Sequence, residues 1–123
     1  MFFTAAGALF GFLGVALGAF AAHGLSDRLD ERMLQVFKTG AEYQMYHALA
    51  LLAIGLMLHK WPESALLNAS GWAFVAGILL FSFSLYGLAL TGIGPLGAIT
   101  PLGGSTFLVG WACLFIWAFQ YVR

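Results

Sequence analysis

The sequence predicts an all-α membrane protein, an antiparallel bundle of four transmembrane helices. Composition is the first reason: 62% of the 123 residues are hydrophobic and only 8% are charged. An ordinary soluble domain has roughly 25% charged residues, which it needs to cover its surface. The second reason is the placement of the charges, because residues 1–26 and 64–122 carry none.

Four apolar segments are candidate membrane spans. A span needs about 20 apolar residues, since the hydrocarbon core is ~30 Å thick and a helix rises 1.5 Å per residue. We expect a single transmembrane domain over residues 1–123, with spans at about 3–22, 43–58, 66–90 and 105–121.

The second span is short, and we expect its helix to extend back to about residue 30. Apolar residues recur there at spacings of three and four, which is a helical period. They are Leu29, Met33, Val36, Phe37 and Gly40. Asp30 is placed to cap this helix, and Glu31 favours its positive end. The alternative is a separate interfacial helix that bends at Thr39 and Gly40.

Helix-breaking residues separate the later spans. Pro62 follows the second span and disfavours helix at the residue before it. Residues 92–97 and 100–104 are rich in glycine and proline. They predict a non-helical connection before the fourth span.

Small residues form a seam along the first and third spans. The first seam contains Thr4, Gly7, Gly11, Gly14, Gly18 and Ala21, and the second contains Ser70, Ala73, Gly77, Ser84 and Gly87. In lipid, small residues let helix backbones approach closely. Their period near 3.5 residues predicts left-handed, near-antiparallel packing. Such faces also suit a homo-oligomer or a membrane-protein partner.

Polar residues collect at one end of the predicted bundle, the end of the first and third connections. The candidate polar cluster consists of His23, Glu42, Tyr43, Gln44, Tyr46, His47, Ser84 and Tyr86. His47 lies about one turn inside the apolar second span, where a polar side chain is costly unless it is paired. The opposite end collects aromatic residues typical of a membrane interface, namely Trp61, Trp72, Trp117 and Tyr121.

Three functions fit such a cluster. In the first, which we favour, hydrogen bonds across helices fix their packing in a structural or interaction protein. The second is a path for protons or a small solute through an oligomer. The third is acid–base or metal chemistry, in which His23, Glu42 and His47 are weak metal candidates because they lack the paired spacing of a metal motif. We expect no cofactor.

Charge and cysteine content exclude other classes. The net charge is zero, so there is no basic excess to neutralise the phosphates of a nucleic acid. Cys113 is the single cysteine, which excludes an internal disulfide and a cysteine-based metal cluster. Most charged residues lie between positions 27 and 42, and the positive-inside rule places this first connection in the cytoplasm.

Four motifs, in order along the chain, resemble those of one family. They are GAFAAHGL at 18–25, YQMYHALAL at 43–51, LFSFSLY at 80–86 and ITPLGG at 99–104. The chain resembles the small bacterial inner-membrane family catalogued as domain of unknown function 423, which has a eukaryotic relative called transmembrane protein 256. It departs from the family pattern at Ala21 and Phe83, where smaller residues are expected. The resemblance implies four transmembrane helices in a plasma membrane and carries no established activity.

Overall fold

The structure, a computed structural model, describes residues 1–122, with side chains through Tyr121. Its elements are α1 (Phe2–His23), α2 (Glu31–Lys60), α3 (Ala65–Gly77), a π-helical segment (Ile78–Ser82), α4 (Phe83–Thr91), a 3₁₀ helix (Gly94–Ala98) and α5 (Thr100–Val122). The predicted all-α class is therefore confirmed for this part of the chain.

Three helical stretches are long and apolar enough to cross a membrane. They are Phe2–His23, Ala65–Thr91 and Gly94–Tyr121, and they correspond to the predicted first, third and fourth spans. The remaining helix, α2, is the longest at 30 residues, and its first third carries several charged side chains. Whether α2 also crosses the membrane stays a prediction at this point.

The long α2 begins where the sequence predicts. The Asp30 side chain accepts a hydrogen bond of 2.8 Å from the backbone N–H of Met33, which satisfies one of the free donors of the first turn. The helix then continues without a break through Thr39 and Gly40, in agreement with the prediction of one long helix. Gly40 serves a close contact instead, because a Cβ there would lie 2.8 Å from Cε1 of Tyr86.

The connection before the fourth span is shorter than predicted. Gly92 ends α4 with φ 70°, the left-handed conformation that glycine adopts without strain. Residues 100–104, however, are helical, so their prediction as a loop is wrong. Pro101 is tolerated because the first turn of a helix does not use its missing N–H. Gly103 lets α5 approach its neighbour, since a Cβ there would lie 2.3 Å from the backbone nitrogen of Phe81.

The helices pack as two antiparallel pairs, α1 with α2 and the α3–α4 rod with α5. The direction follows from the contacts: Gly7 faces Ala48, and Gly14 faces Gln44, so positions rise along α1 as they fall along α2. Contacts of α2 with both α3 and α4 join the pairs. This arrangement places α2 in the middle of the molecule.

The seam of α1 is only partly used inside the chain. Gly7 and Gly14 face α2, and a Cβ on Gly7 would lie 2.7 Å from the carbonyl oxygen of Ala48. By contrast, a Cβ on Gly11 would find its nearest neighbour 4.0 Å away, and one on Gly18 would find nothing within 4 Å. The small size of these two glycines is not needed for packing among the described residues.

The seam of α3 and α4 faces α5. The Ser70 hydroxyl is fully buried and donates to the carbonyl oxygen of Gly110 at 2.8 Å. The hydroxyls of Ser84 and Thr100 share a hydrogen bond of 2.7 Å. These bonds tie the second helix pair together along its length.

Candidate functional site

The eight residues of the predicted polar cluster divide into two sets. Gln44, His47, Ser84 and Tyr86 are buried between helices. His23, Glu42, Tyr43 and Tyr46 lie on the surface. The structure therefore buries half of the cluster in helix contacts. Of the exposed half, Tyr43 still packs its ring against Phe81 of the π-helical segment, with centroids 4.8 Å apart.

Gln44 joins three helices. Its side chain has no exposed surface. Its Oε1 accepts a 2.6 Å hydrogen bond from the Tyr86 hydroxyl of α4, and its Nε2 donates to the carbonyl oxygen of Phe10 in α1 at 2.9 Å. A buried amide would be costly without such partners. Gln44 thus connects α2 to its neighbours on both sides.

Glycines make room for this network. Gly40 lies one turn before Gln44 and is packed against the ring of Tyr86. Gly14 lies opposite, and a Cβ there would be 3.8 Å from Nε2 of Gln44. These two positions let the helices approach closely enough for a single glutamine to span them.

His47 connects α2 to α5. Its Nδ1 lies 2.7 Å from the carbonyl oxygen of Tyr43, and since a carbonyl only accepts, Nδ1 carries the proton. Its Nε2 therefore has a free lone pair and accepts from Nε1 of Trp111 at 3.0 Å. The ring also stacks on Phe107, with centroids 3.6 Å apart and planes 7° apart. These contacts fit a neutral imidazole.

The predicted metal candidates do not come together. Both ring nitrogens of His47 already have hydrogen-bond partners, while His23 and Glu42 are exposed. Within residues 1–122, no three His, Cys, Asp or Glu side chains are grouped so that they could hold a metal ion. The acid–base or metal hypothesis therefore has no shared centre in the described structure.

Trp111 and Phe107 are site residues that the sequence reasoning did not identify. A signal was present, because Trp111 lies near the middle of the fourth apolar segment rather than at an end, where interfacial tryptophans are expected. An indole N–H at that depth needs an acceptor. The sequence could therefore have marked Trp111 as a residue that needs a partner, although it could not have identified that partner as His47.

We expect Trp111→Phe to lower the free energy of unfolding by about 1 kcal/mol, since it removes one hydrogen bond and leaves the acceptor of His47 unpaired. Reversible unfolding in mixed detergent micelles measures this change. Trp72→Phe is the matched control, because Trp72 is exposed to a similar extent, 55% against 44% for Trp111, but its indole makes no hydrogen bond within residues 1–122. Equal losses in the two variants would contradict the assigned Trp111–His47 bond.

The surface clefts lie away from the buried polar side chains. Five clefts on the surface of residues 1–122 have volumes from about 320 to about 530 Å³. None of them is lined by Gln44, His47, Ser84 or Tyr86. The largest of the five lies on the outer face of α1 and α2 and is almost entirely apolar.

Apolar helices that are long enough to span a bilayer, joined by hydrogen-bonded polar side chains, define a small helical membrane protein. The chain belongs to the family described as protein of unknown function DUF423, which matches residues 17–104. The resemblance predicted from the four motifs is therefore confirmed.

Relatives of similar length support this membership. The chain is 44% identical over 120 residues to the UPF0382 membrane protein YwdK of Bacillus subtilis strain 168, with 98% of each chain covered. It is 48% identical over 118 residues to the UPF0382 membrane protein SSP2132 of Staphylococcus saprophyticus, with 96% of this chain and 97% of the relative covered. It is 49% identical over 113 residues to a UPF0382 membrane protein of Haemophilus influenzae, with 92% and 90% covered. No solved structure matches the chain.

Proposed function

We propose that the protein is a structural and interaction bundle that crosses the bacterial plasma membrane four times as a single domain. The observation that supports this role is that its buried polar side chains are hydrogen-bonded to neighbouring helices. The side chains of Gln44, His47 and Ser84 make hydrogen bonds between helices. Polar groups engaged in this way fix the packing of a bundle and do not offer a lining for solute or protons.

The second crossing in this proposal is α2. Its central position supports the assignment, since α1, α3 and α4 all pack on it. The polar side chains of Gln44 and His47 lower its hydropathy, but both are buried against neighbouring helices. In a membrane, polar residues of this kind face the bundle interior, so the modest hydropathy of α2 is compatible with a span.

We place the charged α1–α2 connection in the cytoplasm. Arg28, Arg32 and Lys38 lie on that side, against Lys60 at the opposite end. Arg123, which a sequence with four crossings would assign to the opposite end, lies outside the described residues. An excess of basic residues marks the cytoplasmic face. A cysteine introduced at the exposed Arg28 and labelled in intact cells tests this orientation, because labelling by an impermeant reagent would reverse it.

We further propose that the partner on the outer face of α1 and α2 is a second copy of the chain. The apolar cleft there, of about 530 Å³, includes Gly11, and a neighbouring cleft of about 320 Å³ includes Gly18, Lys38 and Glu42. Within residues 1–122, neither of these charged side chains forms an ion pair. A twofold pair of copies would bring Lys38 of each towards Glu42 of the other, so the face is complementary to itself.

Self-association is tested with the double variant Gly11→Leu/Gly18→Leu. Leucine at these open positions fits the monomer but fills the face that a second copy would contact, so we expect a parent dimer in lipid nanodiscs and a monomeric variant. The control is Ala5→Leu/Ala19→Leu, at exposed α1 positions outside the two clefts, which should remain dimeric. A monomeric parent in nanodiscs would overturn the assigned partner.

Transport of protons or a small solute is the competing function. It is tested on the parent reconstituted in vesicles, with a pH-sensitive dye or a labelled solute inside. The scaffold proposal expects flux at the level of empty vesicles. Glu42→Gln changes a surface carboxylate and spares the buried network. If the parent shows flux above that level and this variant lowers it, the protein is a transporter and the scaffold proposal is wrong.

A further inference from the structure

The aromatic residues at the end of α2 and α5 border a cleft that the proposed function does not use. It has a volume of about 440 Å³ and lies between the α2–α3 turn and the last turns of α5. Its polar and aromatic lining consists of Trp61, Glu63, Ser64, Trp117, Gln120 and Tyr121. This end of the molecule is opposite to the buried polar cluster.

Three aromatic rings form one wall of the cleft. The ring centroids of Trp61, Trp117 and Tyr121 are 5.0 to 5.6 Å apart in all three pairs. The ammonium group of Lys60 lies 4.7 Å from the centroid of Trp61, so a ring face in this wall already contacts a cation. Aromatic faces attract ammonium groups because their π electrons are negative.

Trp117 supplies a donor that lacks an acceptor. The residue is only 9% exposed, and its indole Nε1 is buried without a hydrogen-bond partner among residues 1–122. Leaving such a donor unpaired costs free energy. Trp111 differs in this respect, because its N–H reaches His47, whereas the Trp117 donor is free to pair with an acceptor that a ligand brings.

The first turn of α3 lines the same cleft. The Ser64 hydroxyl accepts from the backbone N–H of Leu67 at 3.2 Å, which leaves the N–H groups of Ala65 and Leu66 without intrahelical partners. Both residues border the cleft. The start of a helix attracts a negatively charged group such as a phosphate.

We propose that this cleft binds the headgroup of a phospholipid that carries both a phosphate and an ammonium group. The phosphate oxygens accept from the first-turn N–H groups of α3 and from the Trp117 indole. The ammonium group lies against the Glu63 carboxylate and the aromatic wall. A lipid is the occupant because, in the proposed four-span topology on which this inference rests, the cleft lies at the ends of the spans, where tryptophan and tyrosine meet headgroups.

Glu63 makes the site selective. Its carboxylate attracts the ammonium of a zwitterionic headgroup, and it repels an anionic headgroup that has a phosphate but no amine. The full chain, equilibrated in micelles with equal amounts of phosphatidylethanolamine and phosphatidylglycerol, is analysed by native mass spectrometry for retained lipid. We expect the parent to retain about ten times more phosphatidylethanolamine, as one favourable charge contact would give.

Two variants test the two halves of the site. Glu63→Gln should abolish the preference, because the phosphate contacts remain while the ammonium contact is lost. Trp117→Phe keeps an aromatic ring but removes the donor, and it should lower the retention of both lipids. Asp27→Asn and Trp72→Phe, an exposed carboxylate and a tryptophan outside this cleft, are the matched controls and should behave as the parent does.

Three results would overturn the proposal. One is equal retention of the two lipids by the parent, and another is a preference that persists in both Glu63→Gln and Trp117→Phe. The third comes from soluble phosphoethanolamine, which we expect to compete only weakly. If it displaces the lipid at equal concentration, the ligand is a free phosphate ester and not a membrane lipid. The self-association experiment is independent of all three.

Discussion

Replacing Gln44 with alanine should lower the free energy of unfolding by about 3 kcal/mol. The side chain is fully buried at the centre of the bundle, so its removal leaves a cavity. The hydroxyl of Tyr86 also loses its acceptor, and an unpaired hydroxyl in an apolar interior is itself unfavourable. The cavity and the unpaired hydroxyl both lower the stability of the folded protein.

Titration with a denaturing detergent in mixed micelles measures this loss. Gln35→Ala is the matched control, because Gln35 lies on the same helix but is exposed, and its effect should stay within about 0.5 kcal/mol. Tyr86→Phe removes only the hydroxyl and should cost about 1 kcal/mol. Similar losses in Gln44→Ala and Gln35→Ala would show that the buried hydrogen bonds do not hold the helices together.

The start of α2 illustrates what could be predicted from the sequence. Asp30 as a cap and the helical period that follows it are local signals, because each depends on residues within one or two turns. The composition of the apolar segments is equally local, and it predicts helices with nearly the observed bounds for α1 and for the α3–α4 rod. Features of this kind do not require knowledge of neighbouring helices.

The pairing of polar residues could not be predicted in the same way. Gln44 and Tyr86 are 42 positions apart, and His47 and Trp111 are 64 apart, so their contact depends on the rotation and register of packed helices. For the same reason, the sequence could not show that Tyr46 of the predicted cluster lies outside the buried network. Neighbouring residues on a helix point about 100° apart, and Tyr46 falls on a part of α2 that no neighbouring helix covers.

The role of a glycine is also difficult to predict from the sequence, since this one residue type occurs both in turns and at close helix contacts. Gly92 does end a helix, as its left-handed backbone shows. Gly103, in a stretch that also contains a proline, has the sequence character of a breaker but lies inside α5. Its role depends on Phe81, which is distant in the sequence and belongs to the π-helical segment.

Gly103→Ala should therefore cost about 3 kcal/mol of unfolding free energy, the upper part of the range for overpacking. The added Cβ would lie 2.3 Å from the backbone nitrogen of Phe81 and 2.7 Å from its Cα. Backbone atoms cannot rotate away as a side chain can, so α5 must move off the π-helical segment. That movement also strains the hydrogen bond between Ser84 and Thr100.

The adjacent glycine, Gly104, is the control that distinguishes the cost of this contact from the general effect of replacing a glycine in a helix. A Cβ on Gly104 would meet only the ring of Phe81, at 3.8 Å, which is an ordinary contact. Gly104→Ala should then stabilise the protein by up to about 1 kcal/mol, the helix-propensity advantage of alanine over glycine. The same detergent titration compares the two variants. If both stabilise the protein to the same extent, α5 does not approach the π-helical segment as closely as the structure shows, because only a close backbone contact gives opposite signs at neighbouring positions of one helix.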